Sequence, residues 1–539
     1  MRLEEGSNPF DSCAENYSLS QIGALTRKPY SVYFAVRKTG EANMQSNTPQ
    51  DRTHSPWTMG RRNFLITMGA SAIAADTGLF NFASSVPAEK PNPAKKPVIH
   101  AVFVRPKVDR YWMGWPGTAY DVKPRQADYT KTLTQAAEKF GIQLEMLSEP
   151  LHDTPAVDTY VDQLKKDPPA GVVVILMHHD HWRDVYRFVK NRGDITTVVY
   201  SPMGTSFLHN IKPIANAPRT FTASTQEVDW LAFGLRMFKT LCEMKSTRIC
   251  ILQGDKTEDV KLDVIGTTLH YIPVNRFPDE FNKAETTDEM RAIADYYIKN
   301  ARKIVEPTEK DILAAAKNYV VCRRIMAAEK CHGIAIDCLP LVETRLNPPP
   351  CLAFSRLRDE AVVASCQADW PAAISSRLTH LLLDRPGFMQ NICVNTVNNT
   401  LLGSHCTCPT KLSGFDGPAE PFILRTHAES DLGVAVQVLW PVGQKVTVMK
   451  FADRLWERKP PARKPGVLAS SIVLGSGRVL ANVDSPPSGG CRTTVEVELD
   501  DIDDVRDLMA LHHQLFIHGD HTRQLKAYAQ LAGIKVLSI

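Results

Sequence analysis

Four of the sixteen histidines of this chain lie within ten residues, in the stretch HHQLFIHGDH at residues 512–521. Imidazole nitrogens bind divalent metals and exchange protons near neutral pH, so such a stretch is either a site or a solvated loop. We predict a specific role for His513, with His512 beside it. His518 and His521 are expected to be turn and helix-start residues.

Two other groups of side chains could do chemistry. MHHDHW at 177–182 places three histidines at the carboxyl end of a parallel strand, where open α/β sheets bind ligands, but it matches no metal motif. We expect solvent-exposed loop histidines there. The twelve cysteines lack the paired CxxC spacing of a structural zinc site, with Cys406 and Cys408 the closest approach, and are expected to be mostly buried thiols.

Four C-terminal segments carry a family resemblance. The stretch from LHHQLFIHGDH to the final IKVLSI resembles the end of the L-arabinose and L-fucose isomerases. In the same order as in that family, ASCQADW (364–370) matches Ala-Glu-x-Asp-Trp, GFMQN (387–391) matches Phe-Met-Glu-Asp, and LLGSHC (401–406) matches Leu-Gly-x-His. The likeness covers most of residues 98–539, with recognisable motifs from about 333 onward.

The resemblance implies an aldose-ketose isomerase that acts on a pentose or a 6-deoxyhexose through a metal-assisted enediol. It implies Mn²⁺ or another divalent metal as cofactor. The metal positions of the family fall on Gln367, Gln390, His405 and His513. Both acidic ligands of the family are therefore glutamine in this chain.

These two glutamines alter the expected chemistry. An amide cannot accept and return a proton as a carboxylate does, and two neutral amides leave the charge of a divalent ion uncompensated. We therefore expect metal binding to be weak or absent. The candidate catalytic positions are Gln367, Gln390 and Asp369. Among the nearby acidic residues, Asp337, Glu343, Glu360 and Asp369, the best candidate to replace the lost acid/base group is Asp369. The alternative is that Asp369 caps a helix whose buried face carries Ile374, Leu378, Leu381 and Leu382, and we favour this alternative.

Further residues are expected at the ligand site. His427 lies in a segment that resembles one approaching the family pocket, and it is equally well explained as a strand-end histidine bonded to backbone. His427 and His512 are thus candidate substrate-binding residues for a small-molecule sugar. Gln367, Gln390, His405 and His513 should converge within about 12 Å, the reach of one ion and its ligands. Family analogy further implies a homo-oligomer.

The elements that position these residues follow a clear order. Apolar runs such as VIHAVFV (98–104) and GVVVILM (171–177) alternate with helical segments, which is typical of parallel sheets covered on both faces. From about residue 385, short alternating segments such as QKVTVMKF and RTTVEVEL indicate antiparallel strands. The predicted fold is α/β, with two doubly wound parallel-sheet domains (98–219 and 220–384) and an antiparallel β-barrel-like C-terminal domain (385–539).

The N-terminal 97 residues are predicted to lie outside these domains. MGRRNFLITMGASAIAADTG, from Met59, resembles a twin-arginine export signal, and residues 59–97 are interpreted as signal and linker. Residues 1–58 are interpreted as an over-called extension, with Met59 or Met44 as the true start. The expected location is periplasmic, or cytoplasmic if the signal is not used.

Composition limits the possible partners. Lysine and arginine (63) nearly balance aspartate and glutamate (59), which argues against nucleic acid as a partner. A stable membrane span is not expected. Three functions stay open: a sugar isomerase relative with a rearranged ligand set, a non-catalytic exported sugar-binding descendant of the same fold, and, well behind, an unrelated periplasmic binding protein.

Overall fold

The computed structural model describes residues 96–112, 119–345, 347–452, 470–484, 491–508 and 512–539. The predicted extension and the twin-arginine segment lie outside these residues. Within the described ranges, no helix has the length and apolarity needed to cross a membrane.

The first sheet is parallel and has strand order β4-β1-β5-β6-β7. The strands in this part of the chain are β1 (Val98–Val104), β2 (Arg110–Tyr111), β3 (Tyr120–Asp121), β4 (Gln143–Met146), β5 (Gly171–Leu176), β6 (Thr197–Ser201) and β7 (Thr220–Ser224). The helices are α1 (Val122–Phe140), α2 (Thr154–Lys166), α3 (Trp182–Asn191) and α4 (Leu208–Ile211). Strands β2 and β3 pair separately. The sheet thus includes β7, just beyond the predicted domain boundary at 219.

Helices cover both faces of this sheet. Ala101 and Phe103 of β1 pack in the cluster that contains residues of α1, whereas Val102 and Val104 pack with residues of α2 and α3. Every position of β5 and β6 is buried, which explains why their sequences are continuously apolar rather than alternating. Helix α1 ends at Phe140 and is capped by Gly141, which adopts the left-handed conformation (φ 64°).

A second sheet follows, with order β13-β12-β8-β10-β9, parallel except for the antiparallel edge strand β9. Its region contains β8 (Arg248–Leu252), β9 (Glu258–Lys261), β10 (Thr268–Ile272), β11 (Lys303–Ile304), β12 (Gly333–Ile336) and β13 (Val363–Cys366). The helices are α5 (Asp229–Ser246), α6 (Arg276–Lys283), α7 (Asp288–Asn300), α8 (Glu309–Ala328), α9 (Leu339–Thr344), α10 (Cys351–Asp359) and α11 (Trp370–Leu383).

The C-terminal region is an antiparallel barrel, in agreement with the predicted change of texture near residue 385. Its elements are β14 (Phe388–Asn395), β15 (Thr400–His405), β16 (Phe422–Arg425), β17 (Ala435–Val438), β18 (Lys445–Ala452), β19 (Ser471–Asn482), β20 (Thr493–Leu499), β21 (Gln514–His518), α12 (Thr522–Ala532) and β22 (Lys535–Ser538). Six strands follow the order β18-β21-β14-β15-β20-β19, and pairing of β18 with β19 closes the ring. Strand β22 adds to β19, while β16 pairs with β17 and β11.

Helix α11 brings the second sheet and the barrel together. It begins directly after β13 and packs against β18 and β21 of the barrel. The hydroxyl of Ser375 in α11 accepts a hydrogen bond from the backbone N–H of Phe451 in β18 at 2.8 Å. The carboxyl end of β13 therefore faces the barrel strands that carry the predicted site residues.

Candidate active site

The turn between β13 and α11 holds an unusual backbone conformation. Gln367 and Ala368 are both left-handed, with φ of 54° and 49°. Such angles cost a non-glycine residue about 1 kcal/mol or more, and they concentrate at functional sites. Hydrogen bonds from the Ala368 N–H to the Ile336 carbonyl and from the Asp369 N–H to the Cys366 carbonyl, both 3.0 Å, hold the turn. The turn aims Asp369 at the barrel.

Asp369 is the centre of a buried polar network. Its Oδ1 accepts the backbone N–H of Ala372 at 2.8 Å, so it caps helix α11 as predicted. Its Oδ2 accepts from His513 Nδ1 at 2.9 Å and from Lys450 Nζ at 2.7 Å. Burial opposes ionisation, but the His513 hydrogen bond and the Lys450 charge outweigh it and hold the pKa of this carboxyl below its ordinary value. Asp369 is therefore an ionised orienting group rather than a free proton acceptor.

Lys450 is a site residue that the sequence analysis missed. Its side chain is 4 % exposed, and besides Asp369 it donates to the backbone carbonyl of His512. All residues of β18 from Val446 to Ala452 are buried, on both faces of the strand. A lysine within such a strand was the signal that could have found it.

His513 is held as a neutral base. Because an ionised carboxylate can only accept, Nδ1 of His513 carries the proton and Nε2 keeps its lone pair. Burial, stronger than the opposing effect of Asp369, lowers the pKa of His513 to about 4. Nε2 is buried and has no hydrogen-bond partner among the described residues. The backbone of His513 is left-handed (φ 55°), so this residue does not share the extended conformation of β21, which begins at Gln514.

His405 lies next to His513, with ring centroids 5.3 Å apart. The Nδ1 of His405 accepts the backbone N–H of Cys406 at 2.9 Å, and the Thr407 hydroxyl lies 3.1 Å away. Burial lowers the pKa of His405 well below its ordinary value. The neutral ring therefore carries its proton on Nε2 and is a hydrogen-bond donor there.

Gln390 is fully buried in the strand between these histidines. On one side it pairs with Gln514 of β21, the residue after His513. On the other side the last pair of β14 and β15 is Asn391 with Ser404, and Gln390 and His405 are the next residues along these two strands. Neither atom of its amide has a hydrogen-bond partner among the described residues. A Cβ at Gly403 would lie 2.3 Å from Cε2 of Phe516 and 3.0 Å from Cδ of Gln390, so the glycine of LLGSHC makes room for both side chains. Unpaired buried polar atoms cost about 1–3 kcal/mol each, which makes them candidates for ligand contacts.

Gln367 and His512 cover the more exposed side of the network. The Oε1 of Gln367 lies 2.9 Å from Nε2 of His512, whose ring is 3.7 Å from that of His513. Burial lowers the pKa of His512. Contacts thus link Gln367 to His513 through His512, and His513 to His405, while Gln390 lies on the strand between the two histidines.

His427 lies on the far side of His405. Its ring Nδ1 is 3.0 Å from the Ser430 hydroxyl, and its backbone N–H donates to the Leu432 carbonyl. The ring is also close enough to His405 and Cys406 to lower the pKa of both. Both alternatives for His427, a backbone-bonded residue and a residue near the pocket, therefore describe part of its environment.

The remaining histidines of the opening stretch are structural. His518 ends β21, and His521 immediately precedes helix α12. The Nε2 of His521 lies 3.0 Å from the His518 carbonyl. A half-buried turn and a helix start, as predicted, thus account for this half of the stretch.

The expectation of solvent-exposed histidines after β5 was wrong for His178, which is 6 % exposed. Its ring packs edge-on against Tyr111, with centroids 5.3 Å apart, and its Nδ1 accepts the Asp180 N–H. His181 Nδ1 lies 2.7 Å from Oδ2 of the buried Asp184. The reason is a contact between residues distant in sequence: the rings of Tyr111 and Trp112 pack against His178, with centroids 5.3 and 5.4 Å away.

The donor set does not fit a tight divalent metal site. The lone pair of His405 Nδ1 and the Oε1 of Gln367 are already engaged, and Asp369 accepts three hydrogen bonds. His513 Nε2 and Gln390 Oε1 remain available, and both are neutral. Across the described residues, no three His, Cys, Asp or Glu side chains are grouped to hold a metal ion. Weak metal binding at best stays the prediction.

No protein-family model and no curated protein sequence matches this chain. The geometry of the site therefore carries the functional argument.

The stability of the protein should fall as the pH is lowered from 6.5 to 4. The unfolded chain protonates His513 below about pH 6.5, whereas the folded chain does so only below about pH 4, so the unfolded state binds more protons in this window. The difference corresponds to about 3 kcal/mol from this residue. Urea unfolding at several pH values would measure it, and His513→Gln should flatten the dependence while His152→Gln, on a partly exposed loop, should not. An unchanged slope in His513→Gln would contradict the assignment.

Proposed function

We propose that this protein is a sugar isomerase-like protein of carbohydrate metabolism, which interconverts the aldose and ketose forms of a pentose or 6-deoxyhexose. One observation carries the proposal: a neutral histidine base, oriented by a buried carboxylate, lies next to the strand that carries unpaired buried amide atoms. His513 Nε2 and both amide atoms of Gln390 lack partners among the described residues. With Asp369 and Lys450 neutralising each other, this set complements an uncharged ligand rich in hydroxyl groups. We also propose that the two parallel-sheet regions that precede the barrel are doubly wound domains.

The proposed reaction uses the chain's own side chains. His513 Nε2 removes the proton from C2 of the open-chain aldose, and the C–H electron pair forms the C1–C2 double bond of an enediolate. The Nε2–H of His405 donates to the oxygen that gains negative charge, as in an oxyanion hole. The proton then returns from His513 to C1, and the C2 hydroxyl proton passes to O1, so the product is an isomer of the substrate. Asp369 and Lys450 are positioning residues for His513.

A second candidate function is sugar binding without catalysis, in an exported descendant of the same fold. It is favoured by the pKa of about 4 of His513, since so weak a base removes a carbon-bound proton slowly. The two glutamines at the positions of the family carboxylates support the same candidate. Assembly into a homo-oligomer and the twin-arginine export route remain proposals that accompany either function.

Exchange of the C2 proton with solvent distinguishes the two functions. The purified protein would be incubated in D₂O with a panel of aldopentoses and 6-deoxyaldohexoses, with and without Mn²⁺, and followed by proton NMR and calorimetry. Isomerisation predicts C2 deuteration, lost by at least 100-fold in His513→Gln and retained in His152→Gln, because a positioned base contributes roughly that much. Binding without exchange would support the second candidate. Failure to bind any sugar of the panel would contradict both.

A further inference from the structure

Three cysteines form one thiol cluster beside the barrel. Cys351 is the first residue of α10, Cys406 follows β15, and Cys491 precedes β20. The side chains of Cys351 and Cys406 pack together with Ala435, and Cys491 lies against them. The thiol of Cys406 is hydrogen-bonded to both other thiols. This cluster brings together residues that are 140 positions apart in the sequence, and neither proposed function uses it.

Backbone contacts fix Cys491 next to Cys406. The Ser404 hydroxyl accepts the Cys491 N–H at 3.0 Å, and the Thr494 hydroxyl donates to the Cys491 carbonyl at 3.0 Å. Both cysteines stand just beyond the last paired positions of β15 and β20, His405 and Thr493. These bonds tie the backbone of Cys491 to β15 two residues before Cys406, and the two side chains pack in one cluster, which is the closeness that a disulfide requires.

The three thiols differ in access and in reactivity. Cys351 and Cys406 are buried, whereas Cys491 is only partly buried and so is the one that an external reagent can reach. Hydrogen bonds from Cys351 and Cys491 outweigh burial and lower the pKa of the Cys406 thiol, while donation to Cys406 raises the pKa of Cys491. Cys406 is thus the thiol of the cluster whose ionisation is most favoured, and the ionised thiol is the attacking species in disulfide exchange.

We propose that Cys406 and Cys491 form a reversible disulfide by exchange with a small-molecule or protein disulfide. In the first step Cys491 attacks the external disulfide R–S–S–R, and a mixed disulfide forms as one R–S⁻ leaves. Cys406 then attacks the sulfur of Cys491, the Cys406–Cys491 bond forms, and the second R–S⁻ leaves. The two cysteine protons end on the two released thiolates, so two cysteine thiols are oxidised and one external disulfide is reduced to two thiols.

Other thiol pairs provide a stringent comparison. Cys338 and Cys366 share a hydrogen bond and are both buried, which excludes external reagents. Cys250 and Cys331 also share one, and Cys331 is partly exposed, but no third thiol is hydrogen-bonded to this pair in its described surroundings. The proposal therefore commits to Cys406 and Cys491 rather than to cysteine oxidation in general.

The test is oxidation of the intact chain with glutathione disulfide, followed by alkylation under denaturing conditions and peptide mass spectrometry. The expected result is two fewer free thiols than the 12 cysteines of the sequence, a peptide pair joined through Cys406 and Cys491, and full recovery with dithiothreitol. Cys491→Ser and Cys406→Ser should each lose the linked peptide. Cys351→Ser and Cys408→Ser should keep it, and Cys408 is a matched buried thiol two residues from Cys406.

Several results would overturn the proposal. These are a full count of free thiols after oxidation, modification confined to the exposed Cys393, a linkage of Cys406 to Cys351, or a linkage at Cys250 and Cys331. Because the readout is covalent and needs no sugar, its failure would leave the proposed function untouched.

Discussion

Replacing Gln367 and Gln390 together by glutamate should raise the affinity for Mn²⁺ by several orders of magnitude. Each carboxylate would supply a charged ligand in a poorly solvated pocket, beside the free Nε2 of His513. Without metal, a carboxylate at the fully buried position 390 is uncompensated, so the double variant should also melt at a lower temperature than the wild type. Added Mn²⁺ should reverse that loss, since a ligand that binds only the folded state stabilises it.

Titration calorimetry and thermal melts with Mn²⁺ would measure both effects. The single variants should give less than half of the combined gain in binding free energy, because two carboxylates share one ion. Gln226→Glu, an exposed substitution in the turn before α5, controls for added charge. A folded double variant without increased affinity would show that positions 367 and 390 do not share an ion. Tight binding by the wild type would show that the two free neutral donors suffice.

Lys450→Met should destabilise the protein by about 3–5 kcal/mol, because it leaves the charge of Asp369 buried without its partner. The Lys450 and Asp369 side chains are 4 % and 9 % exposed, and their atoms are 2.7 Å apart. The double replacement Lys450→Met with Asp369→Asn should cost less than Lys450→Met alone, since no unpaired charge remains. Urea unfolding at pH 7 provides the measurement.

An exposed ion pair gives the matched comparison. Arg187 and Asp158 also lie 2.6 Å apart, but their side chains are 43 % and 39 % exposed. Asp158→Asn should therefore cost less than about 1 kcal/mol. If Lys450→Met costs no more than Asp158→Asn, the buried network around Asp369 does not hold the site together.

Local sequence patterns predicted the elements but not the network between them. VIHAVFV is β1, residue for residue, since apolar β-branched runs have one strong local preference. Asp369 was predicted as a helix cap because a cap needs only its own helix. Its contact with His513 spans 144 positions, and no short-range pattern encodes a contact at that separation.

The family motifs supplied part of that long-range information. They grouped Gln367, Gln390, His405 and His513, and the structure places these residues around one network. Lys450 escaped because it matches no motif, and its role depends on the packing of α11 against β18. The left-handed conformations of Gln367 and His513 could not be read from the sequence either, since neither residue is a glycine and no local motif marks the conformation.

The closed barrel also determines how the chemistry of this site can change. Lys450, Gln390 and His405 stand on or at the ends of strands that are paired on both sides within a ring, and His513 directly precedes another such strand. A strand in a ring cannot slide by two residues without breaking two ladders at once. Each of these sequence positions therefore keeps its place in the barrel when the residue there is substituted. Replacing an acid by an amide therefore changes the reactivity at that position without moving the side chain, so substitution alone can change the specificity of the site.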